Sequence, residues 1–364
     1  MTNEVALQNG QTAAARRVKL NRPLQRRAFL KTLGATVAAA SVPFHIRASG
    51  SPDGSKPAVG VGEHQYEVIH DWGRLPADYA WGNTHGVAED SEGRIYIKHT
   101  VGKGSRRDDA VVVFDADGRF VTSWGKEFKG GAHGMHLVRE GRDEYFILCD
   151  PNRHLVVKTT LSGREVFRIT FPEASDFYRG AGEFRPTNVA VAPDGEIFVA
   201  DGYGKNYVHI HDRNGNYRKS FGGTGKEAGQ LACPHGLMVD NRGSAPRLVV
   251  ADRGNRRLQY FTLEGEHLGF VKDELRAPCH FAERKGVLLI PDLESRVTLF
   301  DANNRLIAHL GDGVHYNGIR GKSRDEFTSG KFIAPHGATF DHDGNIFVVE
   351  WVEVGRVTKL RRLS

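Results

Sequence analysis

Cysteine is scarce in this chain. Cys149, Cys233 and Cys279 are the only three in 364 residues, too few and too odd in number for a disulfide framework. Cys149 ends the apolar stretch Phe146-Ile147-Leu148 and reads as a core thiol, while Cys233 and Cys279 each adjoin a proline, Pro234 and Pro278. Long apolar runs are also missing. The mild run over residues 32–42 falls well short of the ~20 residues that cross a bilayer, so no stable membrane anchor is expected after processing. No Gly-x-Ser-x-Gly elbow occurs. The one phosphate-like run, Gly222-Gly223-Thr224-Gly225-Lys226, is not placed between a strand and a helix and reads as a loop. Finally, the basic excess is absent from the body of the chain. Residues 1–48 carry eight Lys and Arg against Glu4 alone, so the formal +6 of the whole leaves the remainder at −1. A nucleic-acid partner is therefore not expected.

The basic N-terminus has its own pattern. Arg26-Arg27-Ala28-Phe29-Leu30-Lys31 precedes the small-residue apolar run and resembles a twin-arginine export signal. Residues 1–48 are thus expected to be a signal peptide, with the protein periplasmic or secreted, and the Gly-, Ser- and Pro-rich residues 49–64 a linker.

From residue 65 onward one sentence recurs. It is clearest over residues 233–261, where a Pro-His-Gly turn opens a short strand, an Asn-Arg-Gly turn follows, and two more strands end at Asp252 and Phe261. Short strands bounded by Gly, Asn, Asp and Pro make an antiparallel meander. Equivalent starts fall near 85, 133, 187, 235, 279 and 336, a spacing of 44 to 57 residues. A period of ~40–50 with several strands per unit is that of propeller blades. The sixth repeat lacks its last strand, and residues 66–73 match the missing piece. An all-β, six-bladed β-propeller over residues 65–364 is expected, its last blade closed by an N-terminal strand that hides both sheet edges.

In a propeller, equivalent strand starts ring one axis. His133, His235 and His336 occupy that place in the second, fourth and sixth repeats, and alternate blades give approximate threefold placement. Three neutral imidazoles with an open fourth position form the donor set of a catalytic zinc site, so zinc or another divalent transition metal is expected on them. His85, at the first start, and His280, at the fifth, are further candidates, and either Cys279 or His280 takes the fifth ring position. Tyr203 and Arg253 follow the second strands of neighbouring repeats at matching offsets. A tyrosine can serve as a base, and an arginine can clamp a carboxylate.

The runs HGVAEDSEGRIYI, NVAVAPDGEIFVADGYG and HGATFDHDGNIFVVE resemble NHL-repeat propellers over essentially all of residues 65–364. The His-Gly starts, the DGY run at Tyr203 and the ADR run at Arg253 resemble one family more closely, the peptidyl-α-hydroxyglycine α-amidating lyases. That resemblance implies zinc on His133, His235 and His336, Tyr203 as base towards a substrate hydroxyl, and Arg253 as a substrate-holding residue. The family's His-Arg-Gly run stands here as His99-Thr100-Val101-Gly102, which leaves Lys98, Lys103, Arg106 or Arg107 to supply a second cation. Lys98, His85 and His280 are accordingly assigned to substrate binding. The family's calcium aspartate is Gly337 here, so calcium is not expected. The reading is an exported, metal-dependent lyase, a monomer, acting on a small hydroxylated or carbonyl substrate or a peptide. A metal-dependent hydrolase or lactonase, and a non-catalytic propeller binding a peptide, glycan or protein, are the alternatives.

Overall fold

Runs of alternating apolar residues broken by Gly, Asn and Asp leave each repeat no choice but to turn back on itself. A computed structural model describes residues 56–314 and 318–363, and within them the repeats form five four-stranded antiparallel sheets and one of five strands. The twin-arginine run and the rest of the proposed leader lie outside the described residues. No helix among the described residues is long and apolar enough to cross a membrane.

The six sheets are the blades of a propeller. Their inner strands are Thr84–Glu89, Met135–Glu140, Asn188–Val191, Pro234–Asp240, Ala282–Arg284 and Pro335–Phe340. The apolar core is divided among the seams between blades. One cluster joins Phe146 and Leu148 of blade 2 to Tyr96 and Val113 of blade 1, and another joins Phe198 of blade 3 to Leu248 and Phe261 of blade 4. Each remaining seam has its own. Burial is thus satisfied between blades, which leaves the axis free to be lined by polar side chains.

Closure follows the expected route. His64–Ile69 pairs antiparallel with Arg356–Arg362, the outermost C-terminal strand of blade 6. A further strand, Ala58–Val61, pairs with His64–Ile69 and begins inside the stretch read as linker. Gly60 within it and Gly62 in the turn after it lie at φ of 92° and 54°, conformations that glycine adopts readily, and composition alone there resembles a linker.

An acidic residue ends the second strand of several blades and holds the loop that leads to the ring. Asp201 accepts the backbone N–H of Arg185 (2.6 Å), Asp252 that of Ala232 (2.7 Å), Asp292 that of Ala277 (2.7 Å) and Glu350 that of Ile333 (2.7 Å). In blade 6 the latch is also a buried ion pair, Glu350 with Arg356, at 0% and 2% side-chain exposure. Thr84 Oγ1 ties this blade to blade 1, donating to the Glu350 carbonyl (2.8 Å) and accepting the Glu350 N–H (2.9 Å). Removing one partner of a buried pair typically costs about 3–5 kcal/mol. Arg356→Met should therefore lower the melting temperature by on the order of 10 °C, as followed by circular dichroism. A melt within two degrees of the parent (roughly 1 kcal/mol or less) would show that the pair does not hold the seam.

Candidate metal centre

The ring position is built by a repeated close approach of backbones. The glycine after each ring histidine packs against the next blade: a Cβ on Gly134, Gly236 or Gly337 would lie 2.5 Å from the carbonyl oxygen of Thr187, Cys279 or His85 respectively. Any side chain there would push the blades apart, so the His-Gly pair is a packing requirement as well as a chemical one. It also settles the register of blade 5, where Cys279 holds the ring position and His280 follows it.

The same three carbonyls orient the imidazoles. His133 Nδ1 lies 2.6 Å from Thr187 O, His235 Nδ1 2.9 Å from Cys279 O and His336 Nδ1 3.1 Å from His85 O. A carbonyl has only lone pairs, so each Nδ1 carries the proton and each Nε2 is left as a lone pair. The three rings form a nearly equilateral triangle, with centroids 4.8, 4.8 and 4.7 Å apart. Burial pushes the His133 pKa down to about 3 and those of His235 and His336 well below the ordinary histidine value. All three are neutral at physiological pH, the form a metal takes.

The proton count around them decides what the cluster suits. Tyr203 Oη lies 3.1 Å from His133 Nε2 and 3.0 Å from His235 Nε2. A phenol has one proton and can satisfy only one of those nitrogens, so the other faces an oxygen lone pair. His336 Nε2 has His85 Nδ1 at 3.3 Å. Three converging nitrogen lone pairs thus meet two protons, a deficit that a cation at their centre removes. His85, His133 and His336 also bring ligand-capable atoms within 4.8 Å of one another. That grouping omits His235, but the ring triangle and the shared Tyr203 contact place His235 in the same cluster.

Tyr203 and Arg253 arrive from turns whose glycines bring them close. A Cβ on Gly202 would lie 2.1 Å from Pro234 O, and one on Gly254 2.7 Å from Ala232 O. Arg253 Nη2 reaches Cys233 Sγ at 3.2 Å and Tyr203 Oη at 3.5 Å, and its Nη1 approaches Cys279 Sγ at 3.8 Å. The two thiols therefore meet around one guanidinium. Burial drives the Tyr203 pKa up to about 12, with Arg253 pulling it back. Both residues are half-buried.

The other assigned residues divide. His85 joins the cluster. Lys98 does not serve substrate: it is fully buried, its Nζ donates to Cys149 O (2.8 Å) and Gly134 O (3.2 Å), and burial lowers its pKa to about 8. It braces blade 1 against blade 2, because the second strand of a blade is covered on both faces. His280 stands beside His136 in the channel, its Nδ1 without a hydrogen-bond partner and its pKa pushed down to about 4 by burial. On the same face, a cleft of about 910 Å³ is lined by Tyr79, Trp81, Asn83, Thr100 and Arg320. Arg320 Nη2 donates to Asn83 Oδ1 at 2.7 Å, two residues before His85. Arg320 and the acidic latches escaped the sequence reading. The latches had a signal, the acidic residue that ends the second strand of several blades; Arg320, in an insertion, had none.

No protein-family model matches the chain. It is 25% identical over 320 residues to the peptidylglycine alpha-amidating monooxygenase of Rattus norvegicus, a match covering 79% of this chain and 31% of that protein. It is 27% identical over 278 residues to peptidyl-alpha-hydroxyglycine alpha-amidating lyase 1 of Drosophila melanogaster, covering 68% and 48%. The chain is a six-bladed β-propeller similar to NHL-repeat proteins and to the amidating lyases. Human NHL repeat-containing protein 3 is 27% identical over 245 residues, covering 62% of this chain and 66% of that protein. The chain spans about a third (31%) of the length of the rat and mouse monooxygenases it matches. Among solved structures, an inactive variant of virginiamycin B lyase from Staphylococcus aureus with quinupristin superposes with a TM-score of 0.53 at 14% identity, covering 82% of this chain and 100% of that one. At that identity it speaks to the fold alone.

Proposed function

We propose that this propeller is a metal-dependent lyase that cleaves an α-hydroxylated amide bearing a carboxylate, of the hydroxyglycine type. The observation that carries the reading is the meeting of the His133 and His235 Nε2 atoms at Tyr203 Oη, with His336 completing the ring triangle and the Arg253 guanidinium beside the phenol. His133, His235 and His336 would hold the ion. Bound there, a divalent metal supplies Lewis-acid polarisation of a substrate oxygen.

The chain's own residues account for the rest. Tyr203, its phenolate favoured by Arg253 and by an ion that the neighbouring histidines would hold, against the burial that raises its pKa, accepts the proton of the substrate hydroxyl while the carbon–oxygen bond becomes a carbonyl and the carbon–nitrogen bond breaks. It then returns that proton to the departing amide nitrogen, so the phenol is unchanged over a turnover. Arg253, held charged by Tyr203, Cys279 and Cys233 against the cost of burial, pairs the carboxylate and favours the phenolate. A general base of this kind contributes about 10²–10⁴-fold. Tyr203→Phe should accordingly lower turnover of α-hydroxyglycine peptides by about that factor while metal stoichiometry stays at the parent value. A variant that retains full lyase activity removes Tyr203 from the chemistry. A metal-loaded parent inert towards hydroxyglycine peptides but active on lactones replaces the lyase with the hydrolase.

A further inference from the structure

His85 stands apart from its equivalents. Blades 3 and 5 place Thr187 and Cys279 at the ring position, and both side chains turn to local partners: Thr187 Oγ1 donates to Pro234 O (2.7 Å) and Cys279 Sγ lies beside Arg253. Blade 1 places an imidazole there, and it turns inward. Its ring centroid is 4.4 Å from that of His336 and 5.1 Å from that of His133.

The key distance is 3.3 Å, from His85 Nδ1 to His336 Nε2. Four nitrogens around one ion at ~2.0–2.1 Å stand about 3.3–3.4 Å apart along each edge of the tetrahedron. His85 Nδ1 therefore already sits one tetrahedral edge from a nitrogen whose lone pair faces the centre. His85 Nδ1 is a hydrogen-bond donor only so long as His336 Nε2 is free to accept. An ion on that lone pair removes the acceptor, and by moving its proton to Nε2 the His85 ring presents a lone pair to the same ion.

We propose that His85 is the fourth imidazole of the metal centre, ligating through Nδ1 beside the Nε2 atoms of His133, His235 and His336. The inference rests on the metal reading above and extends it. The resting site is closed, and a substrate oxygen enters by displacing His85, the ligand attached by a different ring nitrogen from the other three. His85 thereby gates access, where the sequence assigned it to substrate binding.

The test uses Co²⁺ as the probe on the full purified chain, read by its visible absorption, with azide added as a small competing ligand. The parent should bind one Co²⁺ and give a spectrum that azide leaves unchanged. His85→Ala should bind Co²⁺ at least tenfold more weakly and give a spectrum that the same azide concentration shifts. His85→Asn, closer in shape, should behave like the Ala variant and guards against misfolding. An azide-induced shift in the parent shows an open position and overturns the proposal without any variant. Identical spectra and affinities in parent and variants overturn it too, while leaving the three-histidine site intact. A parent that binds no Co²⁺ overturns both this proposal and the metal reading on which it rests.

Discussion

Lowering the pH from 7 to 5 is expected to unfold the metal-free protein, or to bring it close to unfolding. Burial depresses six histidines outside the three ring ligands: His70, His99 and His209 to about 3, and His136, His211 and His280 to about 4. At His70 and His99 hydrogen bonds add to the effect of burial. The Gly330 N–H donates to His70 Nε2 at 3.1 Å, and the Gly82 and Val101 N–H groups donate to His99 Nδ1 at 3.3 and 3.2 Å. Protonation would destroy those acceptors. In the unfolded chain the same side chains titrate near 6.5. Between that value and the folded pKa values the unfolded state binds more protons, so stability is full above pH 6.5 and falls as the pH drops towards 4 and 3. Six such groups give a slope of about 8 kcal/mol per pH unit near pH 5, comparable with the whole net stability of a domain. Asp201 and Asp292, whose pKa values burial raises, work in the opposite direction and trim that slope. Urea midpoints at pH 7.5, 6.0 and 5.0 measure it directly, and a flat series contradicts the neutral-histidine account.

The second large effect is on metal. Each of His133, His235 and His336 is oriented by a carbonyl of the neighbouring blade, so none is free to swing over and compensate for another's loss. Mutating even outer-shell partners of a metal typically costs about 10–100-fold in affinity, and removing a ligand outright should exceed that. Single His→Ala variants should retain the fold while losing metal on dialysis, and the triple variant should hold none by elemental analysis. The choice of His235→Ala is the informative one, because it separates a site built on His85, His133 and His336 from one that needs all alternate blades. Undiminished affinity in His235→Ala would confine the ion to the former three. Equal metal content in the parent and the triple variant would sink the site altogether.

Much of this centre was legible before any coordinates. The propeller period, the missing last strand and the phase of His133, His235 and His336 all follow from counting, since a repeated unit fixes where its equivalent residues go. Tyr203 and Arg253 were found the same way, as matching offsets in neighbouring repeats. What counting missed depends on distances between blades. Lys98 looked like a substrate cation because nothing in its strand reveals that Gly134 O and Cys149 O lie above it. The fifth ring position hinged on a one-residue shift between Cys279 and His280, which only the Gly236 packing decides. His85 was visible as a ring residue, but its tilt towards His336 belongs to the seam between blades 1 and 6, whose two sides lie at opposite ends of the sequence.

That seam sets the order in which the molecule can be completed. The strand at His64–Ile69 finds its partner at Arg356–Arg362, so it waits, unpaired on that edge, for nearly the whole chain to be synthesised. The ligands are spread the same way, at residues 133, 235 and 336. Two of the three imidazoles exist long before the third, and the third lies two strands ahead of the closing edge. A chain interrupted anywhere before blade 6 therefore lacks both its latch and a ligand. Contacts this distant in sequence make closure the slow step of folding, and a tightly held ion would mark those chains that have reached their end.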